Sequence, residues 1–173
     1  YRLGSTNITK WAAALGLTTK TNIELPSEST SFVGNQAMLY DPDVSIQQQQ
    51  TDKPKITAAM IKKLFLRVGA DRGIEYDDDR LNEVAKSILD IVITYDSKSE
   101  WLPAIRDILL YDMNLPRNYI ASHFMVNTIN TYLNDLKWTP AETIMAGIGQ
   151  SITQVTPIAV ARYTAAIANG GTV

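Results

Sequence analysis

Between residues 81 and 95 the apolar side chains fall at Leu81, Val84, Ala85, Ile88, Leu89, Val92 and Tyr95. That three-and-four spacing follows the α-helical turn, so the segment reads as an amphipathic helix with one face against a core. Asp77, Asp78 and Asp79 precede it, and acidic residues suit the positive end of a helix dipole. A stripe of this kind needs partners, and its neighbours supply them. Pro54 suits a first helical position, and Ile56, Met60, Leu64 and Val68 recur on one expected face. A third helix is expected from about Ser99 to Asp112, burying Trp101, Leu102, Ile105, Ile108 and Leu109, with Pro103 tolerated in its first turn. A fourth starts near Pro116 and carries Met125, Ile129, Tyr132, Leu133 and Leu136 on one side. Four such helices on short links imply a small bundle.

The segments on either side differ in character. A short helix is expected from Ser5, an acceptable N-cap, through Ile8, Trp11, Ala12 and Leu15, with Gly16 at its stop. Asn22-Ile23-Glu24-Leu25-Pro26 reads as a brief extended segment, because Pro26 disfavours helix at Leu25. From Ser27 to Lys53 periodicity is poor, and the tract Gln47-Gln48-Gln49-Gln50 reads as solvated linker. A polar connector of that length often marks an insertion boundary. Beyond the bundle, Thr139-Pro140-Ala141-Glu142 is a capping box with proline at the first helical position. Gly147-Ile148-Gly149-Gln150-Ser151 interrupts that helix, Thr156-Pro157 starts another, and Asn169-Gly170 supplies a left-handed stop.

Composition narrows the function classes. The chain has 173 residues and a formal net charge of −2, which gives no global electrostatic case for nucleic acid or for an anionic membrane surface. It has no cysteine, so disulfides, thiolate metal sites and a cysteine nucleophile are excluded. No apolar run approaches the roughly 20 residues that span a bilayer. Tyr1-Arg2-Leu3-Gly4 lacks an initiator Met and a signal pattern, and Asn169-Gly170-Gly171-Thr172-Val173 follows a turn signal, so both ends read as internal to a longer chain.

Several short phrases in the outer segments occur in a telling order. Tyr1-Arg2-Leu3-Gly4 is followed by Ile8, Trp11 and Leu15-Gly16-Leu17, then by Lys20-Thr21-Asn22-Ile23-Glu24-Leu25-Pro26-Ser27-Glu28. Gly147-Ile148-Gly149-Gln150, Thr156-Pro157 and Ala166-Ile167-Ala168-Asn169-Gly170-Gly171 come later. Together they resemble the penicillin-binding proteins, specifically the monofunctional class B peptidoglycan transpeptidases, whose phrases are K-T-G-I-[DE]-L-P-G-E, G-I-G-Q-G with T-P, and A-x-I-A-N-G-G. The resemblance covers residues 1–34 and 138–173 and does not reach the middle. Asn22 and Ser151 stand where the family usually has Gly, and Ala159 where it often has Gln.

The expected fold is therefore mainly α: a helical-bundle insertion flanked by two segments of an α/β penicillin-binding transpeptidase domain. The expected division is 1–34, 35–137 for connector and insertion, and 138–173. The resemblance implies a longer parent enzyme that forms an acyl-enzyme on serine from a D-Ala-D-Ala stem peptide and passes the acyl group to an amine. It implies peptidoglycan stem peptides and β-lactams as the parent's ligands, no metal or cofactor, and a membrane-anchored protein with its catalytic domain outside the cytoplasm. Cell-wall synthesis proteins are possible partners of the insertion. The alternative is an autonomous helical interaction module.

Serine acyl transfer needs a nucleophile, a base and an oxyanion hole. The family's S-x-x-K pairs serine and lysine one helical turn apart, and no such spacing occurs here. The resemblance places S-x-N upstream of Tyr1 and K-[ST]-G downstream of Val173, so no residue of this chain is expected to be catalytic. Ser5-Thr6-Asn7 spells S-x-N but reads as a helix start. Lys20-Thr21-Asn22 imitates K-T-G but precedes I-E-L-P. His123 is the only histidine and points away from the Met125–Ile129–Leu133 stripe, so it reads as a solvent-side or second-interface histidine rather than a base. The acidic group Asp71, Glu75, Asp77, Asp78 and Asp79 lacks the glycine and glutamate spacing of a calcium loop and reads as helix capping. Ile120 and Phe124 lie off the main stripe and mark either a second core contact or a partner surface.

Overall fold

A computed structural model describes residues 4–24 and 26–171, with side chains of the first helix described from Asn7 onward. Tyr1, Arg2, Leu3, Leu25, Thr172 and Val173, which belong to the phrases above, lie outside the described residues. The chain is mainly helical. In order come α1 (Gly4–Ala14), α2 (Gln36–Leu39), α3 (Asp52–Arg72), α4 (Asp78–Thr94), α5 (Lys98–Asp107), α6 (Arg117–Ser122), α7 (Met125–Leu133), α8 (Pro140–Gly147) and α9 (Pro157–Ala168). Among the described residues there is no β-strand, and one isolated antiparallel bridge joins Phe32 and Gln154. Contacts divide the chain into two compact units, Tyr1–Gln36 with Trp138–Val173, and Ala37–Lys137.

The 37–137 unit is a helical bundle in which α3 packs on α4 and α5 on α7. All six aliphatic positions expected inside α4 are buried: Leu81, Val84, Ala85, Ile88, Leu89 and Val92. Asp77 caps the helix, its carboxylate accepting from the Arg80 amide at 3.3 Å. Trp101 of α5 is fully buried, and its indole N–H donates to the Tyr95 carbonyl at 3.2 Å, which satisfies its one polar atom.

Three local expectations within the bundle are corrected here. In α3 the expected face is out of phase: Ile56 and Met60 are exposed, while Pro54, Ala58, Ile61, Phe65 and Val68 are buried. Steps of four residues turn a helix by about 400°, so Ile56, Met60, Leu64 and Val68 drift roughly 40° per step. Alternating steps of four and three, as from Pro54 to Val68, hold the face. Pro103 is the sixth residue of α5, because the helix opens at Lys98, one residue earlier than expected, after Ser97, which forms a capping box with Glu100. Pro103 therefore removes one internal hydrogen bond, and the helix runs on into a wider π-turn at Ile108–Asp112. The expected fourth helix is two, α6 and α7, broken at Phe124 with left-handed backbone (φ 51°). Ile120 and Met125 are both buried; on one continuous helix they would face about 140° apart, and the break brings both inward.

Part of the expected connector is packed rather than solvated. Met38, Leu39 and Tyr40 are buried, and the Tyr40 hydroxyl donates to Asp90 at 2.5 Å. Within the glutamine tract Gln49 is buried: its amide donates to the Asp41 carbonyl at 2.6 Å and accepts from the Asp41 amide at 3.0 Å. Gln47, Gln48 and Gln50 are exposed.

In the other unit α1 begins at Gly4, so Ser5 lies inside its first turn rather than capping it. Trp11 is 59% exposed, while Ala12 on the same helix is buried. The capping box of Thr139 with Glu142 and the start of α9 at Pro157, capped by Thr156, stand where their residues place them.

Candidate functional site

The first unit is assembled from two stretches of chain separated by more than a hundred residues of sequence. Its polar joints define the candidate site. The Phe32 amide donates to the Gln154 carbonyl at 2.8 Å and the Gln154 amide returns to Phe32 at 2.9 Å. The hydroxyl of buried Ser31 accepts from the Thr156 amide at 2.8 Å. The Gly34 amide donates to Thr153 Oγ1 at 2.9 Å. A Cβ at Gly34 would come within 2.8 Å of Ile152 and 2.9 Å of the Ser151 hydroxyl, so only glycine fits this approach.

Arg162 of α9 makes the widest of these joints. Its guanidinium donates to the carbonyls of Gly16, of Thr19 at 2.6 Å and of Lys20 at 3.1 Å, and to Thr19 Oγ1 at 2.8 Å. A planar fork of donors suits three carbonyls presented by one loop. The loop is itself closed by Glu28, whose carboxylate accepts from the Thr21 amide and hydroxyl, both at 2.7 Å, and from the Asn22 amide at 3.1 Å. The backbone and then the side-chain bond from Thr21 hold the Glu28 carboxyl below its ordinary value. The segment expected as extended has a left-handed residue at its start, Asn22 with φ 57°, and another just after it, Ser27 with φ 67°; Leu25 lies outside the described residues. Neither Glu28 nor Arg162 stood out in the sequence, although a lone cation in an alanine-rich helix was the available signal for Arg162.

The look-alike motifs do not assemble into chemistry. Lys20-Thr21-Asn22 sits in the Glu28-closed loop, with its threonine hydroxyl already donating to a carboxylate. Asn7 of Ser5-Thr6-Asn7 is exposed on α1. His123 is exposed and stacks on Tyr119, ring centres 4.0 Å apart. Its Nδ1 lies 3.0 Å from both the Ser122 hydroxyl and the Tyr119 carbonyl. That hydroxyl also donates to the Tyr119 carbonyl at 3.0 Å, so both polar groups serve the end of α6. The acidic residues are dispersed in role. Asp77 caps α4, Asp78 pairs with Lys62 at 2.7 Å, and Asp71 accepts from the Tyr119 hydroxyl at 3.4 Å. The Lys62 hydrogen bond, more than its charge, lowers the Asp78 carboxyl. Among the described residues no group of three metal-ligating side chains converges. No described helix is long and apolar enough to cross a membrane.

Comparison with protein-family models, with curated proteins and with solved structures finds no match to this chain. The functional reading therefore rests on its own residues.

Within the 37–137 unit, the break between α6 and α7 opens a recess of about 350 Å³. It is lined by Leu102, Arg106, Arg117, Ile120, Ala121, Phe124, Val126 and Asn127. Ile120, one of the two residues in question, is buried against the core; Phe124 is 70% exposed.

Proposed function

We propose that the chain is a non-catalytic part of a serine-type peptidoglycan D,D-transpeptidase, in which residues 1–36 and 138–173 are scaffold and residues 37–137 are an inserted helical module. The observation that carries this reading is the joining of the two outer stretches into one unit through Ser31–Thr156, Phe32–Gln154 and Arg162. An insertion into an existing domain requires its two ends to meet in this way. The Trp138 amide donates to the Gln36 side chain at 2.7 Å, so the entry and exit of the module lie side by side.

The backbone of the resembling phrases adds support. Asn22 and Ser27 stand where K-T-G-I-[DE]-L-P-G-E has its two glycines, and both have left-handed backbone. Only glycine adopts that conformation without cost, so this chain keeps a turn geometry that glycines would serve better. Gly149, Gly170 and Gly171 of the later phrases have positive φ as well. Ser151 does not, and its hydroxyl instead accepts from the Thr153 amide at 3.4 Å.

Exposed apolar residues fit the same reading. The scaffold unit buries Ala12, Val33, Ala159 and Ala166 but leaves Trp11, Ile144, Ile148 and Ile167 more than half exposed. Under the transpeptidase reading, the remainder of the catalytic domain covers them, including the strand that carries K-[ST]-G. The acyl transfer itself belongs to a serine elsewhere in the parent, with stem peptides as substrates and β-lactams as their mimics.

The test is labelling with a fluorescent penicillin, joined to the coding sequence on either side. The expectation is S-x-N just before Tyr1, K-[ST]-G after Val173, a labelled parent protein, and no label on this 173-residue chain. A parent with neither motif, or labelling of this chain itself, overturns the reading.

A further inference from the structure

We propose that the recess between α6 and α7 is a docking site for an acidic peptide segment of a partner protein that carries an apolar anchor. This inference does not depend on the transpeptidase reading. The recess has an apolar floor, from Leu102, Ile120 and Val126, beneath two exposed guanidinium groups, Arg106 and Arg117. No carboxylate is among its described lining residues, and neither arginine forms an ion pair among the described residues. Of the other basic groups of this unit, Lys55, Lys62, Arg80, Lys86 and Lys137 each pair with an acid, whereas Lys53, Lys63, Arg67, Arg72 and Lys98 form no ion pair among the described residues; Arg106 and Arg117 differ from these five in lining one recess together. Two uncompensated guanidinium groups on a chain of net charge −2 are a local, not a global, preference for anions.

Arginine forks bind carboxylates through paired hydrogen bonds, so Asp and Glu side chains suit the rim. The floor suits one buried aliphatic or aromatic side chain, and a recess of about 350 Å³ lies at the small end of the range for binding pockets. Phe124 sits at its edge, 70% exposed, on left-handed backbone that a phenylalanine adopts only at a cost. Glycine there would relieve the backbone, so a large exposed aromatic at the edge of a cationic recess suits a contact role. A membrane is disfavoured by the same count of charges, since electrostatic recruitment to anionic lipid uses clusters of roughly four to eight cations.

Selection of random dodecapeptides displayed on phage, with the full 173-residue chain as bait, tests this directly. Enriched peptides should combine Asp or Glu with Leu, Phe or Trp. Fluorescein-labelled copies should lose about tenfold or more in affinity for an Arg106→Gln/Arg117→Gln double variant, as for residues that anchor an interface. Phe124→Gly should weaken binding by a similar roughly tenfold factor while raising the melting temperature, which separates lost contact from lost fold. Absence of enrichment, enrichment without acidic residues, or equal binding to the double variant overturns the proposal. Co-sedimentation with phosphatidylglycerol vesicles that depends on Arg106 and Arg117 also overturns it, and assigns the patch to lipid headgroups.

Discussion

Replacing Arg162 with Met should loosen the joint between the two outer stretches without unfolding the helical unit. Methionine keeps an unbranched stem and removes every donor. The Gly16 contact is the part-buried one, and a hydrogen bond with one charged partner contributes about 1.5–3 kcal/mol. The contacts to Thr19 and Lys20 are exposed, so water replaces them and each contributes roughly a few tenths of a kcal/mol. Arg162 Nε is buried with no partner among the described residues, a cost that offsets part of the gain. The balance is about 2 kcal/mol, or roughly a 30-fold change in the opening equilibrium.

Hydrogen–deuterium exchange read peptide by peptide measures that change. Amides of residues 16–22, and the Phe32 and Gln154 amides of the bridge, should exchange roughly 30-fold faster in the variant. Core amides of α3 and α4 supply the internal control and should not move. Arg162→Lys should restore only part of the protection, because a single ammonium lacks the planar fork. Unchanged exchange at Phe32 and Gln154 would refute the clamp, and equal acceleration throughout α3 and α4 would refute the division into two units.

The Glu28 carboxyl lies below its ordinary value of 4.5, so the order it gives its loop is present above that value and is lost as pH falls through the lower folded-state value. Its side-chain carbon resonance should titrate with a midpoint below 4.5, and Glu28→Gln should abolish the loop's acid transition; an unshifted midpoint contradicts the bonds from Thr21 and Asn22. Trp101→Ala should cost about 3–5 kcal/mol, lowering the melting temperature of the helical unit by at least ~12 °C, whereas Trp11→Ala should stay within about 0.5 kcal/mol in this chain. Circular-dichroism melts decide this, and similar losses for the two tryptophans would contradict their assigned burial. Ser27→Gly should stabilise by about 0.5–1 kcal/mol in a denaturant titration, since φ 67° is a glycine conformation; destabilisation would mean the serine backbone is not left-handed.

What was legible in the sequence followed from short-range physics. The α4 stripe has steps of three and four throughout, so its buried face could be read without knowing its neighbours. Thr139 and Glu142 form a capping box because the reciprocal bonds span three residues and need nothing else. Errors arose wherever a second element decides. Ile56 and Met60 look as apolar as Ile61 and Phe65, and only the position of α4 and α7 selects between the two faces of α3. Phe124 carries no glycine or asparagine signal for its left-handed backbone; the break follows from burying Ile120 and Met125 together. Gln49 is identical in type to three exposed neighbours, and its burial depends on the turn formed by Asp41 and Val44. For the candidate site, Arg162 and the carbonyls of Thr19 and Lys20 are joined across more than 140 residues, and in the recess the two arginines lie eleven positions apart on different helices; no periodicity relates either set.

The two units obtain their order by different physics. In the 37–137 unit large side chains such as Trp101, Phe65 and Ile88 lose all solvent contact, and each buried methylene contributes about 0.8 kcal/mol. In the other unit the buried residues among those described are small, alanine, glycine, serine and one valine, and the larger aliphatic side chains of α8 and α9 remain partly or largely in water. Its joints are polar, and a hydrogen bond contributes only about 0.5–1.5 kcal/mol net, because water competes for the same groups. The helical unit thus contains the driving force for its own folding, whereas the joined outer stretches hold a defined backbone with little apolar burial to support it. Such a unit gains most from whatever covers Trp11, Ile144, Ile148 and Ile167, which is the physical reason for reading it as scaffold within a larger domain.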